Sequence, residues 1–121
     1  MEPKKGMRLA ARVASFTHAG RGLHELVRQE PNAKLHALAT VAVITIGILR
    51  HISAMQWAAI LFAIGLVWVT EALNTCIEKL CNLWCDNKWH AEVKIIKDIA
   101  AGAVLVSAVV SIGIGVVVFV F

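Results

Sequence analysis

Charge is scarce in this chain, and two long stretches lack it entirely. Asp, Glu, Lys and Arg make up 17% of the 121 residues, against roughly a quarter in ordinary soluble domains. Residues 52–70 and 99–121 carry no charged side chain, and mean hydropathy is +0.73. Cysteine is sparse too. Cys76, Cys81 and Cys85 are odd in number and lack a paired spacing, which argues against a disulfide framework or a zinc site. No Gly-x-x-x-x-Gly-Lys-Ser/Thr loop and no kinase catalytic-loop pattern occurs, so a nucleotide would need an all-helical site of another kind. Internal repeats and low-complexity tracts are missing. More than thirty residues precede the first apolar run, which does not fit a secretory signal peptide.

What is present is membrane-spanning sequence. Residues 99–121 are long enough to cross a hydrocarbon core of ~30 Å. Residues 52–70 run on through a polar stripe into a second span. Residues 35–49, with His36 among them, reach only ~22 Å as a helix and form a short span. The prediction is an all-α integral membrane protein of one domain, 1–121. It has an amphipathic surface helix at about 7–30 and transmembrane helices at about 34–50, 52–82 and 95–121.

Basic residues set the expected topology. Residues 1–34 hold Lys4, Lys5, Arg8, Arg12, Arg21, Arg28 and Lys34 against Glu2, Glu25 and Glu30, seven against three. Lys79, Lys88, Lys94 and Lys97 follow the second span, whereas the first connection offers only Arg50 and His51. The positive-inside rule puts the N-terminus and the second loop in the cytoplasm and the C-terminus outside. Attraction to anionic headgroups explains the basic segment more simply than nucleic acid does. Within it, Leu9, Val13, Phe16, Gly20, Leu23 and Val27 recur at helical spacing, as in a helix lying in the interface. Pro31-Asn32 breaks that helix before the first span. Trp84 and Trp89 suit interfacial anchoring. Three helices enclose little volume, so an oligomeric bundle with sites between protomers is expected. Ser107, Ser111 and Gly115 form a small-residue ladder on the third span, suited to close packing or equally to ordinary membrane-helix composition.

The polar stripe is the strongest functional lead. Glu71, Asn74 and Glu78 fall within roughly 60° on one helix face, and carboxylates at membrane depth normally face a protein interior or a water-filled site. Glu71 and Glu78 are ~10 Å apart along the axis, too far to bind one small ion together, so their roles differ. Glu78, beside Lys79, is placed to meet a hard cation carrying phosphates. Glu71, two turns deeper, is placed to take the proton of a lipid hydroxyl as that oxygen attacks a γ-phosphoryl group. Asn74 orients either group. Glu30 is the expected second metal ligand. Lys97 would neutralise phosphate charge, with Asp98 holding Lys97 or a nucleotide hydroxyl. Simpler roles remain for each: a buried Glu71 paired to a basic residue, a snorkelling Lys97 with a helix-start Asp98. Rival functions are a small proton-coupled transporter using Glu71 and a membrane adaptor.

Two blocks carry a family resemblance: Glu71-Ala72-Leu73-Asn74-Thr75-Cys76-Ile77-Glu78 and Ile96-Lys97-Asp98-Ile99-Ala100-Ala101-Gly102-Ala103-Val104-Leu105. With Arg21-Gly22-Leu23 and Glu30, they resemble the signature of the prokaryotic diacylglycerol kinase family, small three-span membrane kinases that include the undecaprenol kinases. The resemblance runs from about Ser15 to the C-terminus. It implies a homotrimer in the bacterial inner membrane, using ATP with Mg²⁺ to phosphorylate a lipid alcohol at a cytoplasmic site between protomers. By position it implies Glu71 as catalytic base, Glu30 and Glu78 as metal carboxylates, and Asn74, Lys97 and Asp98 as further active-site residues. His90 matches a histidine near the nucleotide, and Arg12 is the nearest candidate for an N-terminal arginine. Asn82 stands where the family usually has an aspartate, and loop 83–89 is one residue longer than common members. The Lys97–Ala103 segment resembles the undecaprenol-kinase branch more than the diacylglycerol branch.

Overall fold

A computed structural model describes residues 5–121; Glu2 and Lys4 of the basic segment lie outside them. The described residues form four helices, α1 (Lys5–Gln29), α2 (Pro31–Leu49), α3 (Ala54–Trp84) and α4 (Ala91–Val120), with no strand among them. Three of these, α2, α3 and α4, are long and apolar enough to cross a membrane.

Pro31 both ends α1 and begins α2. A residue before proline is pushed out of the helical region, and Glu30 is extended at φ −100°, ψ 118°. Proline itself fits the first turn of a helix, where its missing N–H has no partner to lose. The first span therefore starts at Pro31 and has 19 residues, ~28 Å, close to a full crossing. It is longer than the uncharged run suggested because Lys34 lies inside its first turn. The same holds at the other ends: α3 continues to Trp84 and α4 begins at Ala91, past the limits that charge alone marked.

The turn from α2 to α3 is tight. A Cβ on Gly47 would stand 2.8 Å from the Trp57 ring, so only glycine allows this approach. Ser53 caps α3 through a reciprocal box with Gln56, which satisfies two otherwise unpaired backbone donors. Arg50 donates to the Phe119 carbonyl at 2.9 Å, satisfying one of the free carbonyls at the end of α4. At the opposite end, Asp86 and Asn87 take the left-handed conformation, which these residue types tolerate better than most, and turn the chain from α3 into α4.

The most extensive pairing is between α3 and α4. Its contact surface is small and polar in places: Thr70 and Ser107 hydroxyls meet at 2.7 Å, and Ser111 donates to the Ala63 carbonyl at 3.1 Å. Ser107 and Ser111 of the small-residue ladder thus lie at a helix contact and form interhelical hydrogen bonds. Most large apolar side chains of α2–α4 are exposed in the single chain, as lipid-facing residues are. The apolar stripe of α1 is exposed as well, Phe16 to 80%; it faces away from this chain's own bundle, as an interfacial helix requires. Only the last turns of α1, around the buried Leu26, reach the bundle.

Candidate functional site

Among the described residues, Ile60 and Glu71 are the largest side chains fully buried. One is ordinary core, whereas the other is a carboxylate 1% exposed. Burying a charge without a partner is costly, and Glu71 has one: His36 Nε2 lies 3.3 Å from its Oε2. One turn along the same helix pair, Trp68 donates its indole N–H to Thr40 Oγ1 at 3.0 Å. Thr40 in turn donates to the His36 carbonyl at 2.7 Å. These contacts fix α2 against α3 around Glu71. A chargeable side chain inside an apolar span is itself a functional signal, and His36 was the residue the sequence reading did not assign.

Asn74 and Thr75 continue the buried stripe. Asn74 Oδ1 and Thr75 Oγ1 are buried with no hydrogen-bond partner in the chain. An unsatisfied buried acceptor costs about 1–3 kcal/mol, and in a native structure it marks a place where a ligand or water completes the bonding. Glu78 and Glu30 are half-buried. The Lys79 ammonium donates to Gln29 Oε1 at 2.6 Å, which ties α3 to the end of α1 one residue from each of these carboxylates. No group of three or more His, Cys, Asp or Glu side chains among the described residues gathers closely enough to hold a metal by itself. A phosphate-bound Mg²⁺ does not need such a cage, since one or two carboxylates suffice. Glu30, Glu78 and the open Asn74 oxygen fit that requirement.

The other expected residues divide. Lys97 donates to Asn82 Oδ1, an amide oxygen that holds the ammonium without cancelling its charge. Asp98 does not hold Lys97. It forms an exposed ion pair with Lys94, four residues back on the same helix face, the spacing at which such pairs meet. His90 occupies the N-cap position of α4 without a side-chain capping bond and stands edge-on to Trp84 at 5.1 Å between ring centres. Arg12 is exposed on α1, ~27 Å along the helix axis from Glu30, and has no hydrogen bond or ion pair with the other described residues. The three cysteines are free thiols.

Two clefts flank the stripe. Helices α2 and α4 both pack on α3 but not on each other, leaving an apolar cleft of about 400 Å³ whose polar lining includes His36, Thr40 and Trp68. At the α3–α4 turn, a second cleft of about 440 Å³ is lined by Asn82, Lys88, Trp89, His90, Lys94 and Lys97. Glu71, Asn74 and Glu78 occupy α3 between Trp68, in the first cleft, and Asn82, in the second. Glu71 reaches the apolar cleft through its partner His36, which lines it.

The chain matches the family model for prokaryotic diacylglycerol kinase over residues 17–119. It belongs to the prokaryotic diacylglycerol kinase family. It is 46% identical over 105 residues to an undecaprenol kinase of Bacillus subtilis (strain 168), covering 87% of this chain and 85% of that one. It is 35% identical over 103 residues to a diacylglycerol kinase of Synechocystis sp., covering 85% of this chain and 59% of that protein. No solved structure matches. Family membership makes the chain a membrane kinase and disfavours the transporter reading of Glu71.

Proposed function

We propose that this protein transfers the γ-phosphoryl group of ATP to the hydroxyl of a membrane lipid alcohol, with undecaprenol preferred over diacylglycerol. The observation that carries the reading is Glu71: a carboxylate buried within an apolar span, whose partner His36 lines the apolar cleft. The lipid enters from the bilayer with its chain along the apolar cleft and its hydroxyl at Glu71. Glu71 takes the hydroxyl proton as the lipid oxygen bonds to the γ-phosphorus. The bond from that phosphorus to the β–γ bridging oxygen breaks, and ADP leaves.

The remaining residues position charge, which is most of what an enzyme contributes to phosphoryl transfer. Lys97, with Lys88 and Lys94 around the same cleft, attracts the phosphates. Held by a neutral amide rather than a carboxylate, Lys97 keeps its full charge for them. Glu30 and Glu78 would hold Mg²⁺, which supplies neutralisation of the β- and γ-phosphate oxygens. The unpartnered Asn74 oxygen would accept a hydrogen bond from a water at the phosphate end of the site. His90 flanks the nucleotide. Asp98 steadies Lys94 at the cleft rim.

Preference for undecaprenol is supported by the Bacillus relative and by the Ala-Gly-rich segment after Asp98. Basic residues in α1 and in the α3–α4 turn favour a cytoplasmic site in the bacterial inner membrane. A homotrimer would cover the apolar faces left open in one chain and let Arg12 serve a neighbouring protomer's site.

The test is transfer of labelled phosphate from ATP to lipid in mixed micelles, with undecaprenol and diacylglycerol compared at equal mole fraction. Labelled undecaprenyl phosphate forming faster than phosphatidic acid is the expected result. A faster diacylglycerol reaction overturns the substrate preference, and no lipid phosphorylation overturns the function.

A further inference from the structure

The His36–Glu71 contact supports more than burial of a charge. We infer that His36 is the positioning residue for the catalytic base, a role that rests on Glu71 acting as that base. Glu71 Oε2 meets His36 Nε2 at 3.3 Å, and among the described residues no other side-chain partner reaches either carboxylate oxygen. A general base must be the carboxylate, which only accepts hydrogen bonds, so in that role Glu71 accepts this one from the Nε2 proton. Engaging one oxygen leaves Oε1 free for the proton of the substrate.

Two features make the contact directional. The backbone at His36 is fixed from the neighbouring turn, because Thr40 donates to its carbonyl at 2.7 Å and receives the Trp68 indole at 3.0 Å. The imidazole therefore approaches Glu71 from a helix locked in register. His36 also lines the apolar cleft, so it stands where the cleft reaches the base. An alcohol arriving along that cleft passes the imidazole before it meets Glu71. A general base misplaced by ~1 Å can cost ~100-fold in rate, which sets the scale on which this contact matters.

A purely structural pair would affect folding and every kinetic constant alike. A positioning residue affects kcat alone and yields to a substitute that keeps the donor. The experiment measures kcat, the KM for MgATP and membrane incorporation for the full-length protein, Glu71→Gln, His36→Leu, His36→Phe and His36→Gln, with undecaprenol in mixed micelles. His36→Leu and His36→Phe are expected to lower kcat roughly 10- to 100-fold while leaving the KM for MgATP within about twofold. His36→Gln, whose amide can still donate, is expected to recover most of that loss. Phenylalanine fills the ring's volume, so whichever apolar variant incorporates normally supplies the comparison, and the glutamine variant is read in either case. Full kcat in the apolar variants, a glutamine variant as slow as they are, or a loss confined to KM overturns the role of His36. An inactive wild-type protein overturns the kinase reading instead, and an active Glu71→Gln overturns the base.

Discussion

The two ends of the polar stripe on α3 differ in how their side chains are satisfied. Around Glu71, the carboxylate has its histidine, the tryptophan has its threonine, and the threonine has its carbonyl. Towards the α3–α4 turn, Glu30 and Glu78 are half-buried, Lys97 rests on a neutral amide, and the Asn74 oxygen is open. The first end is pre-built around Glu71, because a buried charge is too costly to leave without a partner. The second is more exposed at Glu30, Glu78 and Lys97, and on the proposed function phosphates and metal complete it. On the proposed function, base positioning is a property of the fold, whereas nucleotide binding completes a site the fold leaves unfinished.

That contrast breaks most visibly at Glu71. Glu71→Gln is expected to lower kcat by roughly 10²–10⁴-fold, the usual worth of a general base, with assembly in detergent unchanged. A variant within a few-fold of wild type would remove the base from the mechanism. At the unfinished end, Glu78→Ala is expected to raise the Mg²⁺ concentration for half-maximal rate by at least the ~10-fold that loss of an outer-shell partner costs. Unchanged metal dependence would count against a metal role for Glu78. Lys97→Met, which removes a charge-assisted contact of about 1.5–3 kcal/mol, is expected to raise the KM for MgATP by roughly tenfold or more. Asn74→Leu sharpens the comparison differently. Deleting an unpartnered buried acceptor is expected to raise resistance to denaturant by about 1 kcal/mol while lowering activity, and a fall in both would mean that the amide is structural. Smallest is Arg28→Ala, on the exposed part of α1. The Arg28 guanidinium, hydrogen-bonded to Glu25, holds that carboxyl below its ordinary range. The stabilisation is present above the ordinary carboxylate pKa and fades as pH falls through the lowered one. Because exposed pairs contribute little, thermal unfolding at neutral pH should be unchanged by this substitution.

How much of this was legible beforehand follows from which physics is local. Uncharged runs revealed three spans because the bilayer core excludes charge over a fixed thickness. The uncharged runs are shorter than the helices, since α2 begins at Pro31, ahead of Lys34, and α3 continues to Trp84. Glu71, Asn74 and Glu78 could be put on one face by rotation per residue alone. The His36–Glu71 contact could not, because the register between α2 and α3 depends on the tight turn at Gly47 and Trp57. The Lys94–Asp98 pair was readable from its four-residue spacing, yet Asp98 was expected to serve Lys97. Lys97 turned instead to Asn82, the position where this chain departs from the family's usual aspartate.

The central claim is the division of labour along α3, and MgATP binding to the Glu71→Gln protein tests it most directly. Calorimetric titration in detergent should give the wild-type affinity for MgATP in a protein that no longer phosphorylates lipid, while Glu78→Ala loses affinity in the same titration. Loss of MgATP affinity in Glu71→Gln to the same extent as in Glu78→Ala would contradict it, making the two glutamates one site rather than two.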